Sequence, residues 1–396
     1  MIYRRFGRTG LQMPVFSCGG MRYQYKWEDV PLDDVPADNQ TNLEATIRRS
    51  VELGIYHIET ARGYGSSERQ LGLVLPTLPR DKLIVQTKIA PHADPDEFVN
   101  QFNQSLDRMQ LEYVDLLGLH GINNHEFLWW AIRPNGCLAA ARKLVQQGKV
   151  RHVGFSTHAP LEVILAAIRH QQDGGFDYIN LHWYYIFQQN WPAIEAARQR
   201  DMGVFIISPA DKGGMLYKPS QRLISLCEPL HPLVFNCLFC LSRPEIHTLS
   251  LGASCPDDFA LQLTALDFLD TADEIVPMIV ERLRNTMDAS VGKDFADRFS
   301  DGLPAWQDSP GYMNMAIILW LRNLAVAYDM TDYARMRYNL LGNGGHWFPG
   351  LNAAEIDNLD ITKALVDSPF SAQIPDILRE AHQLMHEAPQ RRLSQS

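Results

Sequence analysis

The 396-residue chain has no dense run of lysine and arginine, and its 36 basic against 46 acidic residues leave a net charge of −10. That balance offers no electrostatic footprint for polynucleotide phosphates, so nucleic acid is not expected as a partner. No stretch approaches the ~18 uninterrupted apolar residues that a membrane-crossing helix needs. Residues 1–7 carry charge with no apolar core behind them, unlike a signal sequence. The expectation is a soluble, cytoplasmic protein with no membrane partner. Cysteine is scarce: six residues in 396 build no disulfide framework. Cys237 and Cys240 have the spacing of a metal or redox pair, yet they sit in the apolar run 233–241 without a second pair, which points to core packing.

What the chain does have is a rhythm. Short runs rich in Val, Ile and Leu recur at 15–21, 55–59, 83–88, 114–119, 150–156, 177–182, 203–208 and 248–253, with helical spacing between them. Leu43, Ile47, Val51 and Leu53 mark one intervening helix, and Val163, Ile164, Ala167 and Ile168 another. Eight strand–helix units close an α/β fold, the (β/α)8 TIM barrel. Gly54, Gly148 and Gly203 each precede a strand and read as helix stops. The long segments 24–41 and 121–136, with Trp27, Trp129 and Trp130, emerge on the carboxyl face and are candidate pocket walls. Beyond residue 285 the alternation ends, predicting a barrel domain over 1–285 and an all-helical C-terminal domain over 286–396.

Four reactive side chains stand at or just after successive strand ends: Glu59, Tyr64, Lys88 and His120. Carboxyl ends of barrel strands converge on one face, so the four share a predicted pocket. Reduction of a carbonyl needs a proton on its oxygen, and a tyrosine with an ordinary pKa of about 10 is a sluggish source. A neighbouring ammonium, Lys88, is expected to lower that value. Glu59 is the carboxylate that keeps the ammonium charged, and neutral His120 orients the substrate oxygen toward Tyr64. A barrel hydrolase would need two carboxylates at strand ends, and here only Glu59 is clear.

The run Glu59-Thr60-Ala61-Arg62-Gly63-Tyr64-Gly65-Ser66-Ser67-Glu68-Arg69-Gln70-Leu71-Gly72 resembles the aldo/keto reductase signature, and the opening Tyr3-Arg4-Arg5-Phe6-Gly7-Arg8-Thr9-Gly10-Leu11 resembles that family's entry hairpin. The resemblance implies an NADPH-dependent reductase of a small-molecule aldehyde or ketone, with no metal, whose catalytic residues are Tyr64, Lys88, His120 and Glu59. Glu59 departs from the family's aspartate. For NADPH (NADP+), with NADH as the other possibility, the resemblance implies contacts from Met21 and Arg22, from Ser156, Thr157 and Asn180 at the nicotinamide, and from Ser208, Ala210 and Lys212 at the pyrophosphate. Gly252, Ser254, Asp258 and Gln262 would lie at the adenosine end. The arginine common beside the 2′-phosphate is missing there, and Asp257 and Asp258 add negative charge.

The C-terminal part resembles, more faintly, a ferredoxin-like extension in one branch of that family. Ser309-Pro310-Gly311-Tyr312 and His346-Trp347-Phe348-Pro349-Gly350 stand where cluster motifs would be, but no cysteine follows Cys255, so no iron–sulfur cluster is expected. A degenerate helical domain that packs on the barrel or on a protein partner is the reading. The alternative function is a catalytically weak nicotinamide-binding regulatory or scaffold protein, motivated by Glu59, Thr157 and Asn180.

Overall fold

The computed structural model describes residues 1–343 and 347–388 and divides them into two compact units. The first comprises Met1–Gly213 and Leu233–Ala272; the second comprises Gly214–Pro232 and the chain from Asp273 onward.

An antiparallel hairpin, β1 (Tyr3–Arg5) and β2 (Gln12–Pro14), opens the first unit. Eight parallel strands follow: β3 (Phe16–Gly19), β4 (His57–Glu59), β5 (Ile84–Ile89), β6 (Val114–Leu119), β7 (Val150–Ser156), β8 (Tyr178–Leu181), β9 (Gly203–Ile206) and β10 (Thr248–Leu251). They close in chain order, with β10 paired to β3. Each coincides with one of the eight predicted runs, because a strand covered on both faces is written as a continuous apolar stretch.

Side chains two residues apart on a strand face the same way, so the barrel interior is built in layers. Phe6 and Met13 from the hairpin region join Ile84, Leu116, Tyr178 and Phe205 in an apolar layer. A polar chain also runs through the interior: Ser17 bonds His57 at 2.6 Å and Thr248 at 2.7 Å, His57 bonds Gln86 at 3.1 Å, and Gln86 donates to the Tyr178 hydroxyl at 3.3 Å. Every polar group named in it has a partner, which burial at that depth demands.

The helices obey their predicted faces. Leu43 and Ile47 are buried on helix Ala37–Glu52, with Val51 half-buried and Leu53 half-buried just past its end, and Val163, Ile164, Ala167 and Ile168 are buried on helix Leu161–Arg169. Gly54 and Gly148 follow helix ends with φ of +79° and +74°, as helix stops do. Gly203 does not. It opens β9, where a Cβ would meet the Phe6 ring at 2.6 Å, so its bare backbone admits a core aromatic rather than ending a helix. Cys237 and Cys240 are fully buried, with burial pushing the Cys237 thiol up to about 12.

The second unit is helical: Gln221–Cys227, most of Ala272–Val291, Lys293–Arg298, Met315–Tyr328, Thr331–Asn339 and Ile374–Met385. It begins before residue 285 because Ala272–Val291 is one uninterrupted helix, and it takes in 214–232 as well. Its core holds Leu283, Ile318, Leu319, Tyr333 and Leu378. The last helix buries Ile374, Leu378, Ala381 and Met385, a helical stripe. Pro310–Tyr312 forms one 3-10 turn, whereas Gly344, Gly345 and His346 lie outside the described residues. Among the described residues no single helix is long and apolar enough to cross a membrane.

Candidate active site

Glu59 ends β4, Lys88 is the penultimate residue of β5, and His120 follows β6, so adjacent strands deliver the three side chains to one mouth. The chain beyond β4 stays bonded to β5: the Thr60 N–H donates to the Gln86 carbonyl at 2.8 Å and the Arg62 N–H to the Lys88 carbonyl at 3.0 Å. That continuation brings round the turn bearing Tyr64. The Lys88 ammonium donates to Glu59 Oε1, to the Thr60 carbonyl at 2.8 Å and to the Tyr64 hydroxyl at 3.4 Å. The Tyr64 ring meets His120 edge-on, centroids 5.7 Å apart. A Cβ at Gly118 would stand 3.1 Å from Lys88 Cγ, so glycine there gives the lysine stem its room.

Lys88 is 1% and Glu59 3% exposed, and a pair so buried holds only if both charges are answered. Burial lowers the Lys88 ammonium below its ordinary range, opposed by the Glu59 and Glu68 charges. The expectation that Lys88 would bring the Tyr64 phenol down is corrected by the fold. Burial first, and then the Glu59 carboxylate, raises Tyr64 well above its usual value, since Glu59 offsets the ammonium's field. Tyr64 is therefore a phenol carrying its proton. Burial and the Lys88 and Lys212 charges bring His120 to about 3, which makes it a neutral imidazole.

One wall of this pocket comes from the loop after β3. At Gly65, φ is +53° and a Cβ would sit 2.0 Å from the Lys26 carbonyl, so the loop packs directly on the Tyr64 turn. The Ser66 N–H donates to that same carbonyl at 3.1 Å. Trp27 is thereby set edge-on to Tyr64, ring centroids 5.7 Å apart. Asp29 anchors the loop through Arg69 and Arg108. Trp129, by contrast, is 60% exposed on helix His125–Ile132.

The residues implied for the nicotinamide fall on neighbouring strands, Ser156 on β7 opposite Asn180 on β8. Ser156 Oγ accepts from the Gly121 N–H at 3.0 Å and keeps its own O–H to give. Asn180 is fully buried, yet neither atom of its amide has a protein partner. A carboxamide presents one acceptor and one donating group, the complement of Asn180, so this part of the site fits a nicotinamide. Thr157 is committed elsewhere: its hydroxyl donates to the Ile122 carbonyl at 2.7 Å and accepts from the Ala159 N–H at 3.0 Å.

Ser208, Ala210 and Lys212 share one tight loop, in which Ser208 has φ +54° and a Cβ at Gly213 would meet the Pro209 carbonyl at 2.0 Å. Lys212 is 8% exposed and its ammonium reaches His182 Nε2 at 3.4 Å. Of the residues implied for the adenosine end, Asp258 accepts from the Ser254 N–H at 2.7 Å and hydroxyl at 2.6 Å, while Gln262 is buried nearby in sequence. Burial opposes ionisation of Asp258, but the Ser254 bonds outweigh it and hold the carboxyl below its usual range. Met21 is partly buried after β3, and Arg22 donates to the Gly252 carbonyl at 2.8 Å. A cation from the first loop thus stands beside a segment that lacks its own arginine.

Sequence reasoning missed five residues at this mouth. Ser250 on β10 reaches Glu59 Oε2 at 3.4 Å, with Gly19 beside it. His182 bonds His158 and the Tyr184 hydroxyl, and the two imidazoles stack with centroids 4.6 Å apart. Counting by twos along β8 and one residue past its end, Tyr178, Asn180, His182, would have put His182 on the inner face.

The Aldo/keto reductase family profile matches residues 17–235. The chain is 29% identical over 221 residues to L-galactose dehydrogenase of Arabidopsis thaliana, covering 53% of this chain and 66% of that protein. It is 30% identical over 176 residues to L-glyceraldehyde 3-phosphate reductase of Escherichia coli, covering 40% and 46%. The chain thus spans from about half to just under two thirds of the length of these two curated relatives. An aldo-keto reductase from Bacillus halodurans in its holo form superposes with a TM-score of 0.59 at 20% identity, over 71% of this chain and 96% of that one, which is a likeness of fold. With more than half of its residues matching the profile on a closed eight-stranded barrel, the chain belongs to the aldo/keto reductase family, whose members are NAD(P)H-dependent oxidoreductases.

Proposed function

We propose that the protein reduces a small aldehyde or ketone to an alcohol with NADPH, Tyr64 serving as general acid. The observation that carries this reading is the Lys88 ammonium placed between the Glu59 carboxylate and the Tyr64 hydroxyl. Tyr64 holds its proton in the resting site and gives it to the carbonyl oxygen as negative charge builds there. Lys88, already bonded to that hydroxyl, stabilises the phenolate left behind. His120, a neutral imidazole edge-on to Tyr64, donates to the substrate oxygen and fixes its direction. Bound NADPH supplies the two electrons of the reduction. Asn180 and Ser156 would hold its carboxamide, Lys212 and the 208–212 loop its pyrophosphate, and Arg22 its adenosine phosphate, Ser254 being engaged by Asp258. Trp27 gives the substrate an aromatic wall, favouring carbonyl compounds with an apolar side.

The test is NADPH consumption against a panel of aldehydes and ketones, with binding followed separately by nicotinamide fluorescence. Consumption that disappears in Tyr64→Phe supports the reading. Tight NADPH binding with no turnover on any carbonyl overturns it in favour of a nicotinamide-binding protein that does no chemistry.

A further inference from the structure

Glutamate at position 59 carries its carboxylate one methylene, about 1.5 Å, further than an aspartate would. The extra reach needs space and a second anchor, and both come from strands distant in sequence. Gly19 on β3 pairs in register with Glu59 on β4, and β10 closes the barrel on the other side of β3. A Cβ at Gly19 would lie 2.4 Å from Ser250 Oγ and 3.2 Å from Glu59 Oε2, so any side chain there would displace both groups. In the space that glycine leaves, the Ser250 hydroxyl stands 3.4 Å from Oε2, while Oε1 takes the Lys88 ammonium. The two carboxylate oxygens thus have separate partners. Ser250 is 7% exposed, so the contact lies in the same dry interior as the ion pair.

We infer that Ser250 is a positioning residue of this site: by holding Oε2 across the gap at Gly19, it keeps Oε1 on Lys88 and Lys88 on Tyr64. Gly19 and Ser250 together accommodate the longer acid. The catalytic consequence rests on the reductase reading; the contact itself does not. A separation of 3.4 Å is long for O–H···O, which puts the effect at the low end for a hydrogen bond to a charged group.

A double-mutant cycle on the full chain tests this with Ser250→Ala, Glu59→Asp and the combination. Turnover of propanal with NADPH and urea unfolding without cofactor are both measured. Ser250→Ala is expected to lower kcat about 10-fold when Glu59 is present, with KM and NADPH affinity unchanged, and to change kcat less than about twofold beside Asp, whose carboxylate falls short of the hydroxyl. Equal losses in both backgrounds, or no loss with Glu59, overturn the inference. If the unaltered protein reduces no carbonyl compound, the reductase reading fails, and the unfolding cycle alone decides: coupling between positions 59 and 250 upholds the contact, and strict additivity overturns it.

Discussion

The Lys88 ammonium stands 3.4 Å from the Tyr64 hydroxyl and has the Glu59 carboxylate as its charged partner. Phenol, ammonium and carboxylate form one buried unit, and replacing each member exposes a different part of the physics.

Tyr64→Phe removes the proton and one acceptor of the Lys88 ammonium, while the ring keeps its contacts with Trp27 and His120. In steady-state assays kcat should fall about 10²- to 10⁴-fold, while fluorescence titration finds NADPH affinity nearly unchanged.

Lys88→Met strands the Glu59 carboxylate in the barrel. Urea unfolding should show a loss of about 3–5 kcal/mol, the cost of a buried charge without its partner. Adding Glu59→Gln removes that charge and should restore much of the stability without restoring turnover. Full stability in the single variant would mean that the carboxylate finds another partner.

Asn180→Leu should act in opposite senses on stability and binding. The buried amide has no partner in the barrel, so its loss should stabilise the cofactor-free protein by about 1 kcal/mol, read by thermal unfolding. NADPH affinity should fall about 10-fold as the carboxamide loses its mate. A stability loss instead would show that the amide serves the fold.

Acid should destabilise the protein through His57. Burial, with the Lys88 charge, brings this imidazole to about 3, against an unfolded value of about 6.5. Between those values the unfolded chain binds the proton and the folded one does not, so stability is lost as pH falls, by about 1.4 kcal/mol per unit well inside the window. His57→Gln should flatten the dependence seen in urea titrations from pH ~6 to ~4.

Arg22→Ala should weaken NADPH more than NADH if Arg22 serves the 2′-phosphate from beside Gly252. A change of about tenfold in the ratio of the two affinities, reduced at high salt, is expected for loss of one charge-assisted contact. Equal weakening of both would move Arg22 elsewhere on the cofactor.

Composition and periodicity were enough to place the strands. A strand covered on both faces must be apolar throughout, and helices that cover it must be apolar on one face, so eight such runs were legible before any contact was known. The run from Glu59 to Gly72 likewise carried the family and, with it, Tyr64. What the one-dimensional pattern could not hold was barrel closure. Ser250 and Glu59 are 191 positions apart, and only the pairing of β10 with β3, and of β3 with β4, brings a serine hydroxyl to a glutamate oxygen across a glycine. The same holds for Gly203, which looked like a helix stop until Phe6 was found against it, and for Arg22, carried to Gly252 by the fold. The direction of the Tyr64 shift was decided there too: the sequence supplied an ammonium, but burial depth and the counter-charge set the balance. Local patterning fixes which residues can be strand ends, because period and apolar content are properties of short segments; which strand ends share charges depends on register around a closed sheet, which no segment contains.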